Sequence, residues 1–182
     1  MAVPFLETER LLLELESTEA ELARIEAMPA EDRAQVSASW LARLRAALVP
    51  SPWTHGISVV ERTTGVVVGG CGFKGPPDAE GMVEIAYGLD TAYRGRGYAR
   101  EAARALSEYA LATSGVRCVR AHTLHDNAPS ARVLEACGFT CIGDVIDPED
   151  GLVRRWELRG QEVAIHRNWN LRCRAGYHRR CA

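Results

Sequence analysis

The sequence predicts a single α/β domain built on a mixed, mostly antiparallel sheet of about seven strands with helices on both faces. Three observations carry that prediction. A chain of 182 residues with 47% hydrophobic and 25% charged residues has the size and composition of one globular domain with a full core. Its first half groups strand-like runs around turn residues, the mark of antiparallel pairing. Its second half alternates helical and strand-like stretches, as a sheet with crossover helices does.

The elements follow in chain order. Leu11, Leu12, Leu13 and Leu15 form an apolar run after Thr8-Glu9-Arg10 that is too brief for a helix, so a first strand is expected there. Two helical stretches follow, broken at Met28-Pro29. The second is expected from about Glu31 to Leu48, with Val36, Trp40, Leu44, Ala47 and Leu48 at helical spacing, before Pro50-Ser51-Pro52 stops it. The runs I-S-V-V-E-R and V-V-V-G-G-C-G-F flank Thr63-Thr64-Gly65 as a hairpin. Within the second run, Gly69, Gly70 and Gly72 mark a bulge or a close backbone approach. A loop from Gly75 to Gly81 leads to a fourth strand, Met82 to Leu89.

After a glycine turn, Ala99, Ala102, Ala103, Leu106, Tyr109 and Ala110 recur at helical spacing until Gly115. Cys118 to Leu124 alternates as a strand. A further helix carries Pro129 in its first turn and Gly138 just past Cys137. Two strands, Phe139 to Ile142 and Val153 to Leu158, close the domain. Residues 1–160 are thus expected to form the domain and residues 161–182 an irregular polar tail.

A formal net charge of -2 gives no overall positive field, so neither a nucleic acid nor an anionic membrane surface is expected as a partner. Met1 to Arg10 holds no basic stretch ahead of an apolar run, and no apolar segment of about 18 residues occurs, so a cytoplasmic location is expected. The six cysteines are scattered and read as reduced thiols. Cys173, His178 and Cys181 lie close in the tail but lack a C-x-x-C pair and four-ligand spacing, so no metal is expected. Oligomeric state is not readable; a homodimer is left open.

The turn Tyr93-Arg94-Gly95-Arg96-Gly97-Tyr98 sits between a strand and a helix. Glycine permits positive φ and lets a ligand touch main chain, so several N–H groups can converge at the positive end of the helix dipole and bind phosphate oxygens, with Arg94 and Arg96 adding countercharge at the rim. An ordinary strand-to-helix turn with solvated arginines fits the same glycines. A dinucleotide fingerprint is excluded because its third glycine position is Arg100, and a Walker loop because no G-K-[ST] follows.

The context of this turn carries more. Arg94 to Ala99 resembles the acyl-coenzyme A signature R/Q-x-x-G-x-G/A of the GNAT superfamily of N-acetyltransferases, and Asn127 to Phe139 is similar to that family's second motif, N-x-x-S-x-x-x-x-E-x-x-G-F. Thr8-Glu9-Arg10-Leu11-Leu12-Leu13 and V-E-I-A-Y-G-L resemble the branch that includes the ribosomal-protein alanine N-acetyltransferases. The resemblance spans roughly residues 8 to 158.

The resemblance implies a single GNAT-like domain with a splayed pair of strands at the cofactor site and acetyl-coenzyme A as co-substrate. Arg94, Gly95, Arg96, Gly97, Tyr98 and Ala99 would hold the diphosphate, the backbone of Tyr87, Gly88 and Leu89 the pantetheine arm, and Asn127 and Ser130 would lie near the arm and sulfur. Strand alternation puts Glu84, Ala86 and Gly88 on one face, which makes Glu84 the candidate general base if that face lines the cleft; a solvated carboxylate is the bland alternative. Many relatives carry a tyrosine four positions before the G-F glycine, where this chain has Leu134, so the acid role moves to Ser130 or to no side chain. Asn127 also fits a plain helix cap. His122 and His125 are read as packing or solvated, and Trp40 and Trp53 as core and rim. The acceptor would be a primary amine: a protein N-terminus, or a polyamine, amino acid or aminoglycoside. A module that binds acyl-coenzyme A without catalysis is the alternative.

Overall fold

A computed structural model of the protein describes residues 3–34, 36–147 and 151–160. The tail carrying Cys173, His178, Cys181 and Arg172, Arg174, Arg179 and Arg180 lies outside the described residues. The strands are β1 (Val3–Glu7), β2 (Leu11–Leu15), β3 (Ile57–Glu61), β4 (Val67–Phe73), β5 (Met82–Leu89), β6 (Cys118–Thr123), β7 (Thr140–Asp147) and β8 (Gly151–Arg159). The helices are α1 (Thr18–Glu26), α2 (Ala30–Ala34), α3 (Ala38–Ala46), α4 (Tyr98–Ala112) and α5 (Ala128–Ala136).

The strands form one sheet of eight in the order β1-β2-β3-β4-β5-β6-β8-β7, one more than expected. The additional strand is β1, whose shortness and Pro4 conceal it in the sequence. Proline is tolerated there because β1 is an edge strand, and its pairing with β2 shifts register between Pro4 and Leu6. Leu11, Leu13 and Leu15 of β2 alternate into the core while Leu12 and Glu14 face the other way.

The stretch expected as one helix from Glu31 to Leu48 is two. Ser37 caps α3 by accepting the Trp40 N–H at 3.4 Å, which restarts the helix rather than letting it run through. Helix α3 buries Leu44 fully, but it ends at Ala46, so Leu48 leaves the apolar stripe and is 99% exposed. Both expectations for the glycine-rich strand are met. The β3–β4 register slips between Val59 and Val60, and a Cβ at Gly69 would lie 2.3 Å from the Gly88 carbonyl oxygen.

Helix α4 packs its alanine- and leucine-bearing side across β2, β4, β5 and β6, burying Ala102, Ala103, Leu106 and Ala110 against Leu13, Val83, Ile85 and Val119. Helices α1 and α3 stand over the opposite face of β4 and β5. Strands β5 and β6 run parallel but pair only at Met82↔Cys118, Val83↔Val119 and Glu84↔Arg120. Beyond Glu84 the two part: β6 stays with β8 to Thr123↔Arg154, and β5 stays with β4 to Leu89↔Gly69. A notch opens between them.

Candidate active site

The notch has main-chain donors along one wall. Lys74 N–H donates to the Glu84 carbonyl at 2.9 Å and Asp90 N–H to the Val68 carbonyl at 3.0 Å, so the even-numbered residues of β5 bond to β4. The odd-numbered ones turn their N–H and C=O groups toward β6. Past the last β5–β6 pair this leaves Tyr87 and Leu89 aimed into the notch, with Gly88 contributing an open surface where an added Cβ would meet nothing within 4 Å.

At the end of that wall the chain enters a short 3-10 turn, Thr91–Tyr93, and then the glycine turn. Gly95 (φ 76°) and Gly97 (φ 83°) both adopt the left-handed region, and Gly97 is the N-cap of α4 without any side-chain cap bond. The first turn closes with Glu101 N–H on the Gly97 carbonyl at 3.1 Å, so the N–H groups of Tyr98, Ala99 and Arg100 project from the helix end without helical acceptors. Converging amides at the positive end of a dipole fit a diphosphate.

Arg94 and Arg96 do not stand as free rim charges. Arg94 Nε donates to the Leu89 carbonyl at 3.0 Å, and Arg96 Nη2 donates to the Ala92 carbonyl at 3.3 Å while its guanidinium lies over the Tyr93 ring. They brace the turn. A second brace comes from the N-terminal hairpin. Glu101, in the first turn of α4 and buried, accepts from Thr8 Oγ1 (2.6 Å), Arg10 N–H (2.9 Å) and Arg10 Nε (2.7 Å), and Arg10 Nη1 donates to the Arg96 carbonyl (2.9 Å). Thr8 and Arg10 are therefore tied to the glycine turn, a role invisible until the hairpin folds back on α4.

The other wall of the notch is the start of α5. Asn127 caps it, its side chain accepting the Ser130 N–H at 3.1 Å, which is the plain capping role. Ser130 Oγ lies 2.9 Å from the Tyr87 hydroxyl, so this pair bridges the mouth of the opening from β5 to α5. Burial pushes the Tyr87 phenol up to about 12, against the smaller pull of its Ser130 hydrogen bond, so it keeps its proton. Leu134 is fully buried and has no part in the notch. The sequence places Tyr87 only as backbone; its phenol was detectable from strand alternation, which turns it toward α5 and away from the Glu84 face.

On the Glu84 face, β4 and β5 present Gly70, Gly72, Ala86 and Gly88, a floor almost without side chains. Above it lies a cavity of about 660 Å³, walled by α1 and α3, the His55 segment and Lys74. Trp40 lines this cavity while its indole N–H holds the Thr54 carbonyl at 2.7 Å. Trp53 instead joins an aromatic cluster with Phe73 and Tyr109.

Glu84 sits at the fork where β5 and β6 part. Its Oε1 is 2.9 Å from Lys74 Nζ and 3.1 Å from His122 Nδ1, and His122 Nδ1 is 3.6 Å from Asp147 Oδ2. His122 thus neither packs idly nor faces solvent: its side chain is 8% exposed, within a cluster of two carboxylates and an ammonium. His125 lies apart, in a surface network with Asp144 and Arg154. Lys74 is set opposite Glu84 by the β4–β5 pairing, where the sequence reading placed only a loop between two strands.

A mixed sheet opened between two parallel strands, with a glycine turn and free helix-start amides at one end and a cavity behind, is the architecture of the N-acetyltransferase class of α/β domains. The chain belongs to the acetyltransferase (GNAT) domain family, whose pattern matches residues 4–140. Over 98 residues it is 38% identical to YjdG, an uncharacterized N-acetyltransferase of Bacillus subtilis strain 168, a stretch that is 52% of this chain and 58% of that relative. The chain therefore spans less than two thirds of that relative's length. Among solved structures, the aminoglycoside acetyltransferase AAC(6')-Ib in complex with coenzyme A gives a TM-score of 0.63 at 18% identity, covering 87% of this chain and 99% of that one. RimL, a ribosomal-protein α-N-acetyltransferase in complex with coenzyme A, gives 0.64 at 16% identity, covering 87% and 98%. At such identities the likeness is one of fold.

Proposed function

We propose that the protein is an acetyl-coenzyme A dependent N-acetyltransferase acting on a primary amine. The observation that carries this reading is the glycine-opened start of α4 lying directly beside the splayed β5–β6 pair. Main-chain amides from Gly95 to Ala99 would hold the diphosphate, and the odd-numbered groups of β5 at Tyr87 and Leu89 would pair with the pantetheine arm as with an added strand. When bound, acetyl-coenzyme A supplies an activated acetyl thioester.

The chain's own residues then have distinct tasks. Glu84 takes the proton from the attacking amine, with Lys74 and His122 fixing the carboxylate through Oε1. Tyr87 and Ser130 present paired hydroxyls at the notch, which would supply a proton donor for a leaving sulfur. An α-amine with a pKa near 8 loses its proton more easily near neutrality than a lysine near 10.4, so one carboxylate serves a protein or amino-acid α-amine best. The RimL and AAC(6')-Ib names allow either a protein N-terminus or a small-molecule amine.

Calorimetry with acetyl-coenzyme A, followed by thiol release over a panel of primary amines, tests the reading. Micromolar binding with release for at least one amine is expected. Binding without release from any amine would leave an acyl-coenzyme A binding module, the reading suggested by Leu134, and absence of binding would end both.

A further inference from the structure

The cavity over β4 and β5 has a one-sided charge. Its lining carries Arg24, Arg43 and Lys74, and no Asp or Glu among the described residues. Carboxylates stand behind two of these cations: Glu21, buried, 2.9 Å from Arg24, and Glu84, 2.9 Å from Lys74. Arg43 has no ion pair among the described residues. His55 has both ring nitrogens engaged, Nδ1 accepting the Ser51 N–H at 3.1 Å and Nε2 lying 2.9 Å from Thr18 Oγ1. The floor of Gly70, Gly72, Ala86 and Gly88 offers no side chain to receive an ammonium.

The cavity wall thus presents guanidinium from α1 and α3, and a carboxylate next to its lining, Glu84, is held behind Lys74 at the fork. We propose that this cavity selects a primary amine carrying a carboxylate close by, as in a free amino acid or the N-terminus of an acidic peptide, with Arg43 as the residue that reads the carboxylate; this rests on the acyl-transfer reading above. Arg presents its donors as a fork that matches a carboxylate in a bidentate way. A polycationic acceptor would set several ammoniums against Arg24, Arg43 and Lys74, a repulsion that discriminates as effectively as attraction.

The test measures binding to the full chain with coenzyme A present, by calorimetry, for matched probes: alanine against alaninamide, the peptide Ala-Glu-Glu-Ala against Ala-Lys-Lys-Ala, and spermidine. The carboxylate-bearing member of at least one pair is expected to bind about tenfold more tightly than its counterpart, and Arg43→Glu to erase or reverse that ratio. The pair that responds distinguishes an amino acid from a peptide end. Arg43→Gln, an exposed and milder change, gives an intermediate ratio and guards against misfolding of the charge reversal. Equal binding within both pairs, preference for spermidine, no binding of any probe, or ratios unmoved by both Arg43 variants would overturn the proposal. Thiol release from acetyl-coenzyme A, measured separately with the same probes, separates the two readings: carboxylate preference without release keeps this proposal and defeats acyl transfer, whereas release from spermidine alone does the reverse.

Discussion

The two ends of the site are built on different principles. The glycine turn at the start of α4 is made of consecutive residues, and its function depends on main chain: two left-handed glycines and the amides after them. The cavity over β4 and β5 takes residues from α1, α3, the His55 segment, β4 and β5, and depends on side chains that meet only in the folded chain. A local, main-chain site can be written as a short motif; a dispersed one cannot. On the function proposed above, cofactor binding and acceptor choice would rest on separate parts of the chain.

The sharpest way to separate the two ends is Glu84→Gln. Loss of the base is expected to lower kcat by about 10²- to 10⁴-fold while the dissociation constant for acetyl-coenzyme A stays within about twofold, read by thiol release and calorimetry. Comparable loss in both would show that the two ends are not independent. Gly97→Ala probes the opposite end. A side chain at φ 83°, with its Cβ 3.3 Å from Arg10 Nη2, costs about 1–2 kcal/mol and should weaken acetyl-coenzyme A binding roughly tenfold without altering discrimination among amines.

Tyr87→Phe lies between the two. It keeps the ring and removes the bond to Ser130, worth about 1 kcal/mol, so a severalfold fall in kcat with unchanged acetyl-coenzyme A affinity is expected. The smallest effect at neutral pH concerns the wall they share. Burial pushes Cys71 up to about 12, Cys137 to about 11 and Tyr87 to about 12, from ordinary values of 9.0 for the thiols and 10.0 for the phenol. A raised folded-state pKa gives stability that is complete below the unfolded value and is lost as pH climbs toward the folded one. The melting temperature should therefore not vary with pH through these groups below about 9 and should decline between about 9 and 12, and Cys71→Ala should flatten part of that decline in a calorimetric scan.

The same contrast explains what could be read from the sequence. The β3–β4 hairpin, β5, α4, β6 and α5 are each set by local patterning and end signals, and were legible. The break at Ser37 was not, because Val36, Trp40 and Leu44 keep helical spacing across it and only the cap bond divides the helix. Glu84 was legible as a position on a face, but its company of Lys74, His122 and Asp147 required the register of β4 on β5 and the fork of β6. Asn127 was legible as a cap. Arg94 and Arg96 were read as charges, whereas the fold uses them as braces, since nearby carbonyl oxygens compete for their donors.

The attachment of Thr8 and Arg10 to Glu101 has an effect beyond holding the turn in shape. Because these bonds join the edge hairpin to the helix end where an anion would settle, occupancy of one and order in the other are thermodynamically linked. Amide hydrogens of β1 and β2 should exchange more slowly once coenzyme A is added.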